Sequence, residues 1–359
     1  MQRAGVFKPT LQEFNMEEHL DLRKEFIAPC LNDEAIKFKS RKASVRLNQG
    51  LAEKLASQAT AMIEVDGRQY PRGCEAVEVA ALGKVKADKA IDGGTEGFIP
   101  DHADVEYIAR LEPQSLRRPK FIERSDFMKL EEGAKTIFGS DDRRVFYSNA
   151  YPWRCNGRVE SSLGSGSGVM VGPRHLLTAS HMIDWRPGNT TGWLKFTPMY
   201  YNGSAPFGSA FGVRTYFKVK VTPPTIDSNE IKYDYVVVVL DRPAGNATGW
   251  LGTKSYSDSW DGGAYWTHVG YPGDLTGTQR PIWQSGIALD GDFWSPDSHE
   301  SMRHKADVWP GQSGGPFWGY WNGQPYAVGV QSAHNPSNNF ASGGSDMVDL
   351  VIRARADLP

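Results

Sequence analysis

The chain has 359 residues, of which 40% are hydrophobic and 11% aromatic, and a formal net charge of −2. That is about twice a typical domain, with enough apolar matter for a real core, so a two-part architecture is expected. The near-zero charge gives no sign of a nucleic-acid or membrane-surface binder, and no apolar run approaches the roughly 18 to 20 residues of a membrane span.

In chain order, residues 1 to about 135 are rich in Lys, Glu, Asp and Ala and contain no tryptophan. The opening stretch, MQRAGVFKPTLQEFNMEEHL, lacks the apolar centre of a signal peptide. This fits an intracellular protein or one whose signal is removed. In LAEKLASQATAMIEV, the residues Leu51, Leu55, Ala59 and Met62 recur at helical spacing and predict an amphipathic helix. The alternation in AVEVAAL predicts a short strand over Ala76–Leu82, while Asp88–Asp104 and Glu112–Arg124 read as linkers. A mixed α/β, partly disordered segment without a catalytic motif is the expectation here. Cys30, Cys74 and Cys155 are odd in number and scattered, so they support neither a disulfide framework nor a zinc site.

From about Thr136 the composition turns to Gly, Trp, Tyr and Ser, and short β-type runs alternate with turn signals. GVMVG, HLLTA, YFKVKV, YDYVVVVL, AYWTHVG, IWQSGIAL and YAVGVQS are examples, with one helical pattern at the end, DMVDLVIRARADL. Many short strands over this length predict an all-β sandwich or pair of barrels, closed by a C-terminal helix. Three N-glycosylation sequons, at Asn189, Asn202 and Asn246, lean towards secretion.

The chemistry points to Gly311-Gln312-Ser313-Gly314-Gly315-Pro316. A serine hydroxyl is a weak nucleophile until a base takes its proton, and its reaction needs N–H groups aimed at the developing oxyanion. Glycines on either side allow the dihedrals that turn such N–H groups one way, those of Gly311 and Ser313 being the candidates. A general base is available in His181, which ends the apolar run and small turn Leu176-Leu177-Thr178-Ala179-Ser180-His181. Asp234, at the mouth of Val236–Leu240, is the carboxylate that would accept the histidine Nδ1–H and fix its tautomer. Asp184 and Asp241 are rivals, the first too near His181 along the chain and the second in an Asp-Arg-Pro turn. The order His, Asp, Ser, with gaps of roughly fifty and eighty residues, separates this arrangement from α/β-hydrolases and subtilisin-type enzymes.

With these residues in place, the chain from about Thr136 onward resembles the trypsin-like serine proteases, and within them the V8-like branch of glutamyl endopeptidases. The stretches that carry the likeness are Phe138–Arg143, Ala150–Arg154, Thr178–His181, Tyr233-Asp234-Tyr235, Gly270-Tyr271-Pro272-Gly273-Asp274 and Gly311–Pro316. The resemblance implies two six-stranded antiparallel β-barrels of the chymotrypsin type with the triad between them. It also implies peptide-bond hydrolysis through an acyl-enzyme without a cofactor or metal, in a secreted monomer acting on protein or peptide substrates. By the same likeness, residues 1–135 would be a prosegment, itself a partner of the enzyme, and 136–359 the protease domain. Cleavage after Lys135 or Arg144 would release it.

The likeness is incomplete at the substrate pocket. Asp307, Val308, Gln331 and Ser332 are the substrate-binding positions it implies, but glutamyl enzymes carry a histidine and a threonine where Gln331 and Val308 stand. His334 is a possible substitute, and Asp307 would instead suit a basic side chain. Gln312, rather than aspartate, precedes the serine, so the ion pair that a new α-amine makes in the trypsin branch is unavailable. A disulfide of some bacterial relatives is replaced at both ends, by Met182 and Gly166. Competing expectations are a non-catalytic relative serving as a binding module and an intracellular housekeeping protease of the HtrA type.

Overall fold

Val236–Leu240 is a run of β-branched and aliphatic residues with every member buried. Such a run stays apolar without alternation only when both faces of the strand are covered. One face lies in the first barrel, and the C-terminal helix α1 (Ser345–Asp357) packs on the strand from outside. In that helix Met347, Val348, Leu350, Val351 and Ala354 are the buried residues, the 3.6-residue stripe expected of a helix laid on a core. The structure, a computed structural model, describes residues 62–65, 68–71, 73–79, 94–107, 137–223, 226–291 and 300–359.

Strands β1 (Asn156–Ser161), β2 (Gly164–Met170), β3 (His175–Thr178), β4 (Leu194–Pro198), β5 (Ala210–Phe217) and β6 (Val236–Leu240) form the first barrel. Their order is β4-β1-β2-β3-β6-β5, and β5 pairs back onto β4, so the ring closes. All of these pairings are antiparallel. Closure removes the edges that an open sheet would leave exposed.

The second sheet contains β7 (Trp266–Gly270), β8 (Ile282–Ile287), β9 (Leu289–Asp290), β10 (Glu300–His304), β11 (Pro316–Trp321), β12 (Gln324–His334) and β13 (Asn339–Gly343). It runs β9-β10-β13-β12-β11-β7-β8, a curled half-barrel whose two ends are successive pieces of one strand on either side of Ala288. The first barrel is closed, and the second sheet is less regular than the plain six-stranded ring expected. Aromatic rings fill the seam: Trp153 meets Trp318 and Trp283 edge-on, with centroids 5.6 and 5.7 Å apart.

The N-terminal expectations need correction. Met62 begins a strand, Met62–Val65, paired with Arg68–Pro71, instead of ending a helix; residues 51–61 of the expected helix lie outside the described residues. The predicted strand at Ala76–Leu82 is shorter and earlier, at Glu75–Glu78, where it adds in parallel to β5. Of the expected linker Asp88–Asp104, the described part is docked over 94–104, and 105–107 continue it. Gly94–Thr95 pairs with Gly252–Lys254, Phe98 stacks on Trp250, and Trp153 Nε1 donates to Glu106 O at 2.5 Å. Glu112–Arg124 and Cys30 fall outside the described residues. Cys74 and Cys155 are buried free thiols, and burial pushes the Cys74 pKa up to about 11.

His175, His268 and His304 are buried, and burial drives their pKa values down to about 3, about 4 and about 3. Their rings therefore stay neutral in the folded protein at pH values where unfolded histidines, near 6.5, are already protonated. Below that value the unfolded state binds more protons, so stability falls as pH drops from 6.5 towards 4. The urea midpoint is expected to decline across this window, with unfolding at pH 5.5 taking up about three protons at these rings. A midpoint flat over the same range would contradict their neutral burial.

Candidate active site

His181 sits in a single 3-10 turn, Ser180–Met182, entered from β3. The apolar Leu176 and Leu177 are fully buried and anchor the strand, so the chain leaves the barrel at a fixed place. Asp234, with no exposed surface, precedes β6, the strand paired with β3. Its two carboxylate oxygens take different donors: His181 N–H reaches Oδ1 at 2.8 Å, and His181 Nδ1 lies 2.6 Å from Oδ2. Ser332 Oγ, from β12 of the second sheet, donates to the same Oδ2 at 2.6 Å. The Nδ1–H tautomer follows, since a carboxylate only accepts, and it leaves Nε2 free to take a proton. Burial of the ring works against the imidazolium, but the Asp234 charge and hydrogen bond outweigh it and raise the His181 pKa above 6.5. Asp184 is engaged elsewhere, with Ser162 and Arg186, and Asp241 accepts from the Phe211 N–H.

The serine arrives on a built turn. Pro310 at the second place and Gly311 at the third, with a φ of 104°, mark Trp309–Gln312 as a type II turn. It is closed by Gln312 N–H on Trp309 O at 3.0 Å. Gly314, with a φ of 77°, packs so tightly on the histidine-bearing turn that a Cβ there would stand 2.1 Å from Thr178 Oγ1 and 2.7 Å from Ala179 N. Only glycine satisfies both conditions, and the close approach sets the serine turn against Thr178 and Ala179, which lead into the His181 turn. Gln312, Gly314 and Gly315 spend their N–H groups on Trp309, Gln331 and Gln312 carbonyls. The N–H groups of Gly311 and Ser313 have no acceptor among the described residues, and neither has Ser313 Oγ.

One residue that sequence reasoning missed holds this turn. Ser167 on β2 donates N–H to Ser313 O at 2.8 Å and Oγ–H to Gly311 O at 2.8 Å, while its Oγ accepts from Tyr271 N–H at 2.9 Å. A serine in GSGSG carries no local signal for a partner 144 residues away. Ser332, one of the expected substrate-binding positions, has its hydroxyl bonded to Asp234. Gly166 and Met182 are neighbours, a Cβ on the glycine falling 2.6 Å from Met182 Cε, so the thioether fills the place between them.

The remaining pocket positions are buried. Both carboxylate oxygens of Asp307 accept backbone N–H groups, from Phe138 and Asp142 at 2.8 Å each. Val308 is 3% exposed, and Gln331 donates Nε2–H to Ala333 O and lies against the neutral His304 ring. Among the described residues, no group of three His, Cys, Asp or Glu side chains converges to hold a metal ion. No described helix is long and apolar enough to cross a membrane.

The Asp234–His181 geometry has a direct spectroscopic consequence. In protein labelled at histidine with ¹⁵N, the His181 ring is expected to titrate above 6.5. Asp234→Asn removes the charge and leaves the burial, so the midpoint should fall below 6.5. The same midpoint in both proteins would contradict the coupling.

Residues 166–328 match the family described as the trypsin-like peptidase domain. A glutamyl endopeptidase of Bacillus licheniformis is 37% identical over 189 residues, taking in 51% of this chain and 55% of that protein. The chain thus spans about half the length of the curated relative it matches. A solved Glu endopeptidase in complex with MPD aligns at 19% identity and a TM-score of 0.49, covering 61% of this chain and 99% of that one. The protease Anisep of Arthrobacter nicotinovorans aligns at 20% identity and a TM-score of 0.43, over 56% and 97%. The likeness to the trypsin-like peptidase domain thus takes in residues 166–328, the stretch that carries His181, Asp234 and Ser313.

Proposed function

We propose that the protein is a serine endopeptidase working through His181, Asp234 and Ser313. The observation that carries this reading is the buried Asp234 carboxylate engaging His181 at both N–H and Nδ1, beside a serine turn whose Gly311 and Ser313 N–H groups stay open. In the reaction, Ser313 Oγ attacks the scissile carbonyl carbon while His181 Nε2 takes the hydroxyl proton. The carbonyl oxygen becomes an oxyanion held by the N–H groups of Gly311 and Ser313. Collapse breaks the C–N bond, and the leaving amine receives the proton from the imidazolium, which leaves an ester on Ser313. Water, deprotonated by His181, then reverses the sequence and frees the acid. Asp234 keeps the ring in the productive tautomer and stabilises its cation.

Substrate choice follows from charge. A cationic P1 side chain would need Asp307, but the backbone of Phe138 and Asp142 already takes both of its oxygens. Glutamyl cleavage, for which the relative is named, would bury a carboxylate beside Val308, Gln331 and an uncharged His304, leaving it poorly compensated. A neutral P1 residue suits these groups best. The chain is further read as a secreted zymogen with residues 1–135 as prosegment. Asn189, Asn202 and Asn246, all exposed, are then available for glycans.

Two measurements test this. On a quenched fluorescent peptide, Ser313→Ala and His181→Ala should each lower kcat by about 10⁵- to 10⁶-fold, and the double variant should lose little more. Unchanged turnover in Ser313→Ala would overturn the proposal, and a wild-type protein that binds peptides without cutting them would favour a binding module. Across a peptide library varied at P1, neutral residues should lead and Arg, Lys, Glu and Asp should trail. Preference for Arg would show that Asp307 is released to substrate.

A further inference from the structure

Arg143 is the least expected charge in the protein. Its side chain has no exposed surface, yet every N–H it owns is used. Nε reaches Asp141 Oδ1 at 3.0 Å, and the Nη2 atom reaches Asp141 Oδ2 at 2.8 Å and Asp274 Oδ2 at 2.6 Å. Nη1 reaches Asp274 Oδ1 at 3.0 Å and Gln312 Oε1 at 2.9 Å. Two carboxylates thus fix the guanidinium plane from both sides, and the remaining donor is aimed at the side chain next to the nucleophile.

Gln312 passes that fixation into the turn. Its Oε1 also accepts Trp309 N–H at 3.0 Å, and its Nε2 donates to Asp307 O at 3.2 Å. The side chain packs on Gly270, where a Cβ would stand 2.8 Å from Gln312 Cγ. Asp274 acts from the other flank. Its neighbour Gly273 donates N–H to Pro310 O at 2.8 Å, which sets the plane of the Pro310–Gly311 peptide. The two ends of a trans peptide point opposite ways, so holding the Pro310 carbonyl on Gly273 turns the Gly311 N–H away from it. The same N-terminal stretch is tied down again by Asp307, through the N–H groups of Phe138 and Asp142.

We propose that Arg143 is a positioning residue that sets the oxyanion turn from within the uncut chain, so that no new α-amine is required to form it. A buried ammonium created by cleavage would meet Gln312, a neutral amide, whereas the guanidinium supplied in cis meets two carboxylates and that amide together. The Arg144–Val145 bond is intact while the turn already has its type II form. Cleavage after Arg144 would separate the pin from Val145, whose strand Arg144–Val145 pairs with β8. Cleavage after Lys135 would leave the pin in place. On this account, removal of residues 1–135 clears the enzyme without switching the turn on. The assignment rests on the serine endopeptidase reading.

The test uses the full chain carrying Lys135→Gln and Arg144→Gln, its length checked by intact mass, beside wild type nicked by trypsin. A peptidyl diphenyl phosphonate with a neutral P1 residue reports whether Ser313 and its oxyanion donors act together. The uncut chain should be labelled at Ser313 at a rate within about tenfold of the nicked enzyme, much less than the roughly 10²- to 10³-fold that one lost oxyanion donor costs. In that background, Gln312→Met and Arg143→Gln should each cut kcat about 10²-fold with KM little changed. Arg143→Lys should recover only part of it, because lysine keeps the charge and loses the fork. If Arg143→Gln fails to melt cooperatively, Gln312→Met, which leaves both ion pairs in place, decides alone. Labelling of the nicked enzyme only, or full kcat in Gln312→Met, would overturn the role of Arg143. Labelling of neither form would instead sink the peptidase reading itself.

Discussion

A carboxylate without exposed surface must be answered by donors, and Asp234 is answered from both sheets. His181 supplies two hydrogen bonds from the turn after β3, and Ser332 supplies one from β12. Leaving such a charge unpaired costs about 3–5 kcal/mol, so the arrangement of the two sheets and the orientation of the imidazole depend on one group. That dependence explains why a polar cluster can persist at a seam otherwise packed with tryptophan. It also sets the direction of the His181 pKa, since the charge and the hydrogen bond of Asp234 together outweigh the penalty of burying the ring.

The nucleophile turn is built on the same seam by different means. Its glycines are required by close approach and by positive φ, and its carbonyls are held by N–H and hydroxyl groups from the first barrel. Ser167 is the link: one hydroxyl both accepts from Tyr271 and donates to Gly311, while its N–H takes the Ser313 carbonyl. With carbonyls engaged on one side, the Gly311 and Ser313 N–H groups keep no acceptor among the described residues, and in the proposed reaction they are the donors that would meet the oxyanion. Preorganisation of this kind is where acyl-transfer sites gain much of their rate, because no dipole has to reorient as charge develops.

Residues whose role is written in local pattern were legible in the sequence. The valine run of β6, the small-residue turn before His181 and the glycines on either side of Ser313 each carry their geometry within a few positions. What escaped was long-range. Ser167 and Ser332 gain their roles only from partners far along the chain, and Arg143, within a recognisable string, gains its partners Asp274 and Gln312 from over a hundred residues away. The N-terminal stretch misled for a related reason: helical spacing around Met62 and the polar character of Asp88–Asp104 describe local preference, while pairing of Met62–Val65 with Arg68–Pro71 and of Gly94–Thr95 with Gly252–Lys254 decides the outcome. Asp307 read as a pocket charge because its backbone partners, Phe138 and Asp142, are invisible until the chain is folded.

The central claim is that a covalent acyl group forms on Ser313 with His181 as its base. Stopped-flow reaction with a p-nitrophenyl ester, quenched in acid and followed by peptide mapping, tests this most directly. The account predicts a burst of about one nitrophenolate per enzyme and an acyl mass on the peptide that contains Ser313, both lost in His181→Ala. Steady release without a burst, together with no adduct on that peptide, or an adduct on another residue, would contradict it.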